Sequence, residues 1–371
     1  MMKNYRIVAA VLGALLAAPI ISGCSDNNTP YDSEAVISSA EVTTAEKTTV
    51  QPETVASDEK KQNASDFGAP SEEMLLNNSP LLYIMDNGDY IYSAVKKEGN
   101  THYEVYVRDD RKGRSEELGL PQDSVIFYSD GKKLYYYSPD EGLCVYDNGK
   151  SSLLCSETKS EERIPQRNSF FFAENYIFFT VPGENGTEIR IMDYTGELSE
   201  KSFHIDHRNA GIICNADIDG GLCLICSYPK GTDEHIIAFD GSDSYTELAV
   251  GYSPLTAGDM LYYIDFNKLY RLPLSGGEPQ QLTDTLCKSY CIYDDKLIFT
   301  DGKTVFSSDG SSEPKELISY KDLEGCDFIR SVRVTDGRLF VMGGAGAFHI
   351  CLSELDKDGK ITEKVYSDNE S

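Results

Sequence analysis

The side chains of this 371-residue sequence from which chemistry could be built are ten cysteines, five histidines and a large excess of carboxylates. His204, Asp206 and His207 fall together in the stretch Ser202-Phe203-His204-Ile205-Asp206-His207-Arg208-Asn209-Ala210-Gly211, and in a loop they could ligate a metal. Two imidazoles without a third placed ligand fall short of a zinc or other transition-metal site, so no metal is expected. Cys223-x-x-Cys226 has the spacing of a zinc or redox motif. The run Leu222 to Ser227 reads as a strand, however, and strand positions three apart point to opposite faces. No Gly-x-Ser-x-Gly elbow, His-Glu-x-x-His helix or phosphate-cradling glycine loop occurs, so no catalytic residue and no cofactor are assigned. The carboxylate clusters Asp109-Asp110, Asp294-Asp295 and Asp356-Lys357-Asp358-Gly359 have the residue types of hairpin turns and lack the ligand spacing of a calcium loop. One basic grouping stands out among the loop residues: Arg163, Arg167, His207, Arg208, Arg330 and Arg333, the candidate binding residues.

These groups must be positioned by elements in a known compartment, and the N-terminus speaks to the compartment. Lys3 and Arg6 precede an uncharged apolar run from Ile7 to Ile21, which ends in Ile21-Ser22-Gly23-Cys24. Fifteen apolar residues rise only about 22 Å as a helix, short of a hydrocarbon core of about 30 Å, so the run reads as a secretory signal. Small residues directly before a cysteine resemble the lipobox of bacterial lipoproteins. That resemblance implies cleavage between Gly23 and Cys24, lipidation of Cys24, and a location at the cell membrane facing the extracytoplasmic side. Two acyl chains would provide the two-signal anchoring that a single chain does not. With Cys24 committed to lipid, nine cysteines remain, and an odd number cannot all pair within one chain. Most are expected as small buried apolar groups, with room for one or two disulfides, for example around Cys287 and Cys291.

Residues 24–78 form the next segment. They are rich in Ser, Thr, Ala, Glu, Asp and Asn, with Tyr31 and Phe67 as the only aromatics and eleven acids against three lysines. Such a chain buries too little apolar surface to offset its ordering entropy and repels itself, so it is expected to be a disordered tether.

From residue 79 a turn followed by an aromatic-aliphatic run recurs. Examples are Asn87-Gly88 before Tyr90-Ile91-Tyr92, Asp130-Gly131 before Leu134-Tyr135-Tyr136-Tyr137, and Asp336-Gly337 before Leu339-Phe340-Val341. The seven turn positions 88, 131, 175, 220, 258, 295 and 337 are spaced 37 to 45 residues apart, with a mean close to 42. That period fits four short antiparallel strands and their turns, one blade of a propeller. The prediction is therefore an all-β chain: a β-propeller over residues 79–371 of seven four-stranded blades, with six or eight as alternatives because the fourth and fifth units are short. Nearly continuous apolar strands, rather than alternating ones, imply that both sheet faces are covered, as they are when blades stack.

The segment Met260 to Thr283, Met-Leu-Tyr-Tyr-Ile-Asp-Phe-Asn-Lys-Leu-Tyr-Arg-Leu-Pro-Leu-Ser-Gly-Gly-Glu-Pro-Gln-Gln-Leu-Thr, resembles the YWTD repeat of low-density-lipoprotein-receptor propellers. It is closer still to secreted bacterial propellers of unknown function related to that family. Trp is missing from the sequence and Tyr or Phe takes its place, and only Asp265 keeps the Asp of the pattern. The resemblance implies a propeller fold and a tendency to bind partners, and it carries over no catalytic residue.

Two functional classes follow. The first is a monomeric, non-enzymatic binding module at the cell surface that holds a protein, peptide or glycan. The second is an exported propeller enzyme, a hydrolase, lyase or quinone-dependent dehydrogenase. Residues 79–371 carry 29 basic against 50 acidic side chains. That surface repels phosphate backbones and excludes nucleic acid as a partner. The first class is favoured, because the inner-strand regions are mostly Leu, Ile, Tyr and Ser rather than a convergent set of His, Arg and acids.

Overall fold

A computed structural model describes residues 81–98, 101–159, 169–218, 221–239, 245–310, 313–346 and 349–367. The chain divides into two units, Met1–Lys60 and Lys61–Ser371, and every described residue lies in the second. The signal, the Gly23–Cys24 junction, the tether, Arg163 and Arg167 all fall outside the described residues.

The fold is all-β: seven four-stranded antiparallel sheets in a propeller ring, each sheet a meander made from one continuous run of chain. Blade 1 is β1 to β4 (Leu82–Ile84, Tyr90–Glu98, Thr101–Asp109, Ser115–Glu117) and blade 2 is β5 to β8 (Val125–Ser129, Lys133–Ser138, Gly142–Asp147, Lys150–Cys155). Blade 3 is β9 to β12 (Phe170–Phe172, Tyr176–Pro182, Thr187–Asp193, Leu198–Ile205), and blade 4 is β13 to β16 (Gly211–Ile218, Gly221–Lys230, Asp233–Phe239, Tyr245–Val250). Blade 5 is β17 to β20 (Tyr252–Ala257, Met260–Asp265, Lys268–Pro273, Gln280–Gln281). Blade 6 is β21 to β24 (Ser289–Tyr293, Lys296–Thr300, Thr304–Ser308, Lys315–Ser319), and blade 7 is β25 to β28 (Phe328–Thr335, Arg338–Ala345, His349–Leu355, Ile361–Ser367). Six and eight blades are thereby excluded.

The recurring turns of the sequence are the hairpins between the first and second strand of each blade. Asp294 and Asp295 (φ 52° and 57°) and Asp336 and Gly337 (φ 49° and 65°) take the doubly left-handed form that two-residue hairpins require, which is why Asp and Gly recur there. The run beginning at Met260 is consequently the second strand of blade 5, and its innermost strand is β17.

The second strands are buried almost throughout, as in Leu134 to Ser138 and Leu297 to Thr300, because each sheet is covered on both faces by its neighbours. The core is accordingly distributed over the blade interfaces. One cluster joins Tyr83, Ile91, Ile126 and Tyr136 of blades 1 and 2, another Tyr135, Tyr137, Phe170 and Phe179 of blades 2 and 3, and another Leu255, Ile264, Tyr290 and Phe299 of blades 5 and 6. Tyr and Phe fill the volume without Trp: Tyr128 stacks on Phe172 with ring centroids 4.8 Å apart, and Phe127 packs on Phe170 at 4.8 Å.

Side-chain hydrogen bonds between neighbouring blades repeat at the sequence period. The Tyr83 hydroxyl donates to the Ile126 carbonyl (2.8 Å), the Tyr290 hydroxyl to the Ser253 carbonyl (2.7 Å), and the Val332 amide to the Ser289 hydroxyl (3.2 Å). The partners are 43, 37 and 43 residues apart. The Tyr83 and Tyr290 bonds satisfy backbone beside bulges in the innermost strands, where the register with the second strand shifts between Ile126 and Tyr128 and between Tyr252 and Leu255.

Blade 7 closes on blade 1 by packing. Phe340, Leu352 and Val365 meet Leu82, Tyr90 and Tyr92. The Thr335 hydroxyl donates to the Leu82 carbonyl at 3.3 Å. At the outer edge of this seam the Tyr90 ring lies between two guanidinium groups, Arg111 at 4.7 Å and Arg338 at 5.2 Å. Both arginines bind Glu363, and Arg338 also binds Glu354.

The disulfide for which the sequence left room around Cys287 and Cys291 is not formed. Both are buried free thiols, and the Cys287 Sγ faces the Ser289 carbonyl at 3.8 Å. Cys144, Cys155, Cys326 and Cys351 are buried free thiols as well, which agrees with their reading as small apolar groups. Cys226 is buried within β14, while the Cys223 side chain lies outside the described residues.

Candidate functional site

In a ring of identical meanders, the loops that enter the innermost strands and the turns between second and third strands come to the same face. On that face the connection from β12 to β13 carries His207 and Arg208, and beside it is the turn between β14 and β15. Cross-strand pairing sets Tyr228 of β14 opposite His235 of β15, and their rings stack at 5.3 Å. The His207 ring lies flat on Tyr228, 3.6 Å away and 2° from parallel, and its Nε2 shares a 2.5 Å hydrogen bond with the Tyr245 hydroxyl. His235 Nδ1 donates to Glu247 at 2.7 Å, since a carboxylate can only accept. A stack of three rings, with Tyr245 edge-on beside it, therefore ties the blade 3 to blade 4 connection onto blade 4.

The electrostatics follow from this packing. Burial, and then the Lys230 ammonium, holds the His207 pKa below the ordinary imidazole value, so the ring is neutral at pH 7. Burial raises the Tyr228 phenol to about 12. The Glu234 carboxyl, bonded by the Ser227 hydroxyl at 2.5 Å, is raised by burial, with the serine bond opposing.

The basic residues named from the sequence are distributed as follows. Arg208 is folded back on blade 3, where its guanidinium donates to the Glu184 carbonyl, Nε at 2.7 Å. Arg330 sits at the bulge between Ile329 and Ser331 of β25, its guanidinium 5.4 Å from the centre of the Phe328 ring. Arg333, also on β25, donates to the Ser289 hydroxyl at 2.6 Å and to the Val332 carbonyl at 2.7 Å. The structure thus gathers none of these side chains into one group: His207 and Arg208 lie in the connection from blade 3 to blade 4 and turn to different partners, and Arg330 and Arg333 lie within strand β25 of blade 7 rather than in a loop. His204 turns to Asp206 at 3.1 Å, apart from the His207 stack. Among the described residues no three His, Cys, Asp or Glu side chains come together to hold a metal ion.

A second feature of the same face lies on blades 4 to 6. The turn between β18 and β19 holds Phe266 and Asn267 in the left-handed region, φ 44° and 59°. Phe266 is 88% exposed, and Leu286, in the loop entering β21, is 50% exposed. The two loops are joined: the Cys287 amide donates to the Asn267 carbonyl at 2.8 Å, and the Lys268 ammonium reaches the Asp284 carbonyl. Asp265 feels the charge of Asp233 on the neighbouring blade, and burial first, then that charge, raises its carboxyl. The result is two exposed apolar side chains on joined loops of a rim that carries Asp233, Asp265 and Asp284 together with Lys230, Lys268 and Lys288. Sequence reading passed over it, although the signal was present: an aromatic at the centre of a two-residue hairpin turn, Asp265-Phe266-Asn267-Lys268, where Asn or Gly is the unstrained choice.

No protein-family model matches the chain, and no curated protein matches it. Among solved structures it is similar to a puromycin-hydrolyzing peptidase of Mycobacterium tuberculosis, with 13% identity and a TM-score of 0.54 over 84% of this chain and 56% of that one. An acylaminoacyl peptidase of Pyrococcus horikoshii gives 16% identity and a TM-score of 0.49 over 81% and 52%. TolB of Acinetobacter baumannii gives 12% and 0.39 over 73% and 78%. The chain spans little more than half the length of the two peptidases. At 13% identity the likeness to the first of these shows the propeller fold, and nothing of substrate or partner.

Proposed function

We propose that this chain is a non-enzymatic binding propeller, held at the cell envelope through lipid on Cys24 and the acidic segment 24–78, and that it docks a basic protein segment on the rim carrying Phe266 and Leu286. The observation that carries the reading is Phe266. A bulky aromatic in the left-handed region costs roughly 1 kcal/mol of backbone strain, and its ring stays in water at the tip of a turn. Folding gains nothing from either, whereas an exposed aromatic anchor on a rigid element gives contact area at small entropic cost. The charge of the partner follows from the 29 basic against 50 acidic side chains of residues 79–371.

Phe266→Asn separates the two roles. Asn occupies the left-handed region more readily, so the variant should unfold at the same temperature as the parent or higher, while capture of basic partners from an extracellular fraction falls at least tenfold. Added salt should weaken the parent's binding. Unchanged capture by the variant overturns the assignment of the rim. Turnover of esterase, glycosidase, peptidase or quinone-dehydrogenase substrates by the parent overturns the non-enzymatic reading. The anchor is tested by Cys24→Ser, which should move the exported protein out of the membrane fraction.

A further inference from the structure

Blade 7 holds two thiols that the propeller packs against each other within its apolar core. Cys351, on β27, is paired directly with Gly343 on β26, so its Cβ stands about 5 Å from the position a Gly343 Cβ would take. That position is filled from the loop entering β25: the Cys326 Sγ lies 2.6 Å from it and the Cys326 Cβ 3.2 Å. Gly343 is thus the vacancy that lets Cys326 settle over β26 beside Cys351. The two thiols are within hydrogen-bonding reach of each other. Both are buried in the cluster that joins blades 6 and 7, at 8% and 2% exposure.

We infer that Cys326 and Cys351 form a disulfide when the chain folds in an oxidising compartment, stapling the loop that enters the innermost strand of blade 7 to the third strand of the same blade. The reaction is thiol–disulfide exchange with a small-molecule or protein disulfide. One thiolate attacks the oxidant and displaces a thiol, the second displaces the other, two protons leave the cysteines, and the oxidant is recovered as two thiols. The bond lies on the blade 6 side of blade 7 and stiffens the blade that must close on blade 1. Blade 7 is the last blade, it meets blade 1 by packing without a shared strand, and opening of that seam would begin there. Closing a loop of about 26 residues lowers the unfolding equilibrium constant by a few hundredfold in the chain-entropy account. Burial first, then the neighbouring thiol, pushes the Cys326 thiol up to about 12, so exchange on the folded protein is slow and the bond is made during folding.

The test uses the full chain and oxidised glutathione. One sample is treated folded, another is refolded from denaturant in the same glutathione buffer, and both are alkylated and digested. In the refolded sample a peptide linking Cys326 to Cys351, 2 Da lighter than the two thiol peptides together, should appear, and the linked protein should melt several degrees above the reduced one. Cys326→Ser and Cys351→Ala should each lose the linked peptide and the oxidation-dependent rise in melting temperature. If neither sample yields the linked peptide, if the thiols instead carry glutathione, or if Cys326 pairs with another cysteine, the inference fails. It stands or falls independently of the binding rim.

Discussion

Replacing Arg338 with Ala should cost the propeller about 2–3 kcal/mol, a figure that can be assembled from the seam between blades 7 and 1. Arg338 presents its fork to Glu354, Nε at 3.0 Å and Nη2 closer, and reaches Glu363 at 3.3 Å. A bidentate charged pair of this kind contributes about 1.5–3 kcal/mol, and the 32% exposure of the Arg338 side chain puts this one in the lower half through solvent screening. Its stacking over Tyr90 and Phe340, at 5.2 and 5.5 Å, adds about 0.5–1 kcal/mol. The substitution also leaves Glu354, only 16% exposed, without its cation. At about 2 cal/mol/K of unfolding entropy per residue, a domain of about 290 residues should melt roughly 4 °C lower. Arg338→Lys keeps the charge but not the planar fork, and should lose at least half as much. Thermal and urea unfolding followed by circular dichroism measure both. A loss below 0.5 kcal/mol for Ala, or a Lys variant equal to the parent, would refute the claim that this pairing secures the seam.

Two further outcomes follow. Tyr290→Phe removes the hydroxyl by which this fully buried side chain donates to the partly buried Ser253 carbonyl at 2.7 Å, so it should destabilise by about 1–2 kcal/mol in the same urea assay. The Glu234 carboxyl has its pKa raised by burial, so the folded state favours the protonated form. Its contribution is most favourable below the unfolded carboxylate pKa and is lost as pH rises through the folded value, because over that window the unfolded state binds fewer protons. Glu234→Gln should therefore gain on the parent as pH is raised from 4 to 7, a trend read from unfolding curves at a series of pH values, and a constant difference between the two proteins would contradict it.

The blade count was legible because hairpin chemistry is local. Asp336-Gly337 and Asp294-Asp295 are chosen for their left-handed dihedrals, and those demands return with every blade. The continuous apolar runs were legible for a similar reason, since burial of both faces leaves no alternation. The side-chain constellations depend on distances the chain does not record. Tyr228 meets His207 from 21 positions back only because the blade 3 to blade 4 connection folds over the sheet. The sequence left room for a disulfide around Cys287 and Cys291, yet one precedes β21, the other lies within it, and both are free thiols. Cys326 and Cys351 are far apart in sequence and become neighbours through the missing side chain of Gly343. The arginines named as loop residues divide between blades, Arg208 in the connection from blade 3 to blade 4 and Arg330 and Arg333 within strand β25, because a propeller distributes consecutive segments around a ring rather than gathering them.

That distribution separates the two properties that variants can probe. Each blade but the last is followed along the chain by the neighbour it packs against, so separation of the two is limited by a short connection. Blade 7 and blade 1 have no such connection, and an opening there is opposed by Phe340, Leu352 and Val365 against Leu82, Tyr90 and Tyr92, by the Thr335 bond and by the Arg111, Arg338 and Glu363 network. The seam therefore governs whether the ring stays closed. Phe266 and Leu286 lie on blade 5 and at the entry to blade 6, and neither belongs to the clusters that close the ring. A substitution at Arg338 should change stability and leave partner affinity at moderate temperature unaltered, whereas Phe266→Asn should do the reverse. Distant sites with no shared contacts add. The double variant should accordingly melt where Arg338→Ala melts, within about 0.5 kcal/mol, and bind as weakly as Phe266→Asn. Coupling of more than 1 kcal/mol between the two would mean that the rim and the seam move together.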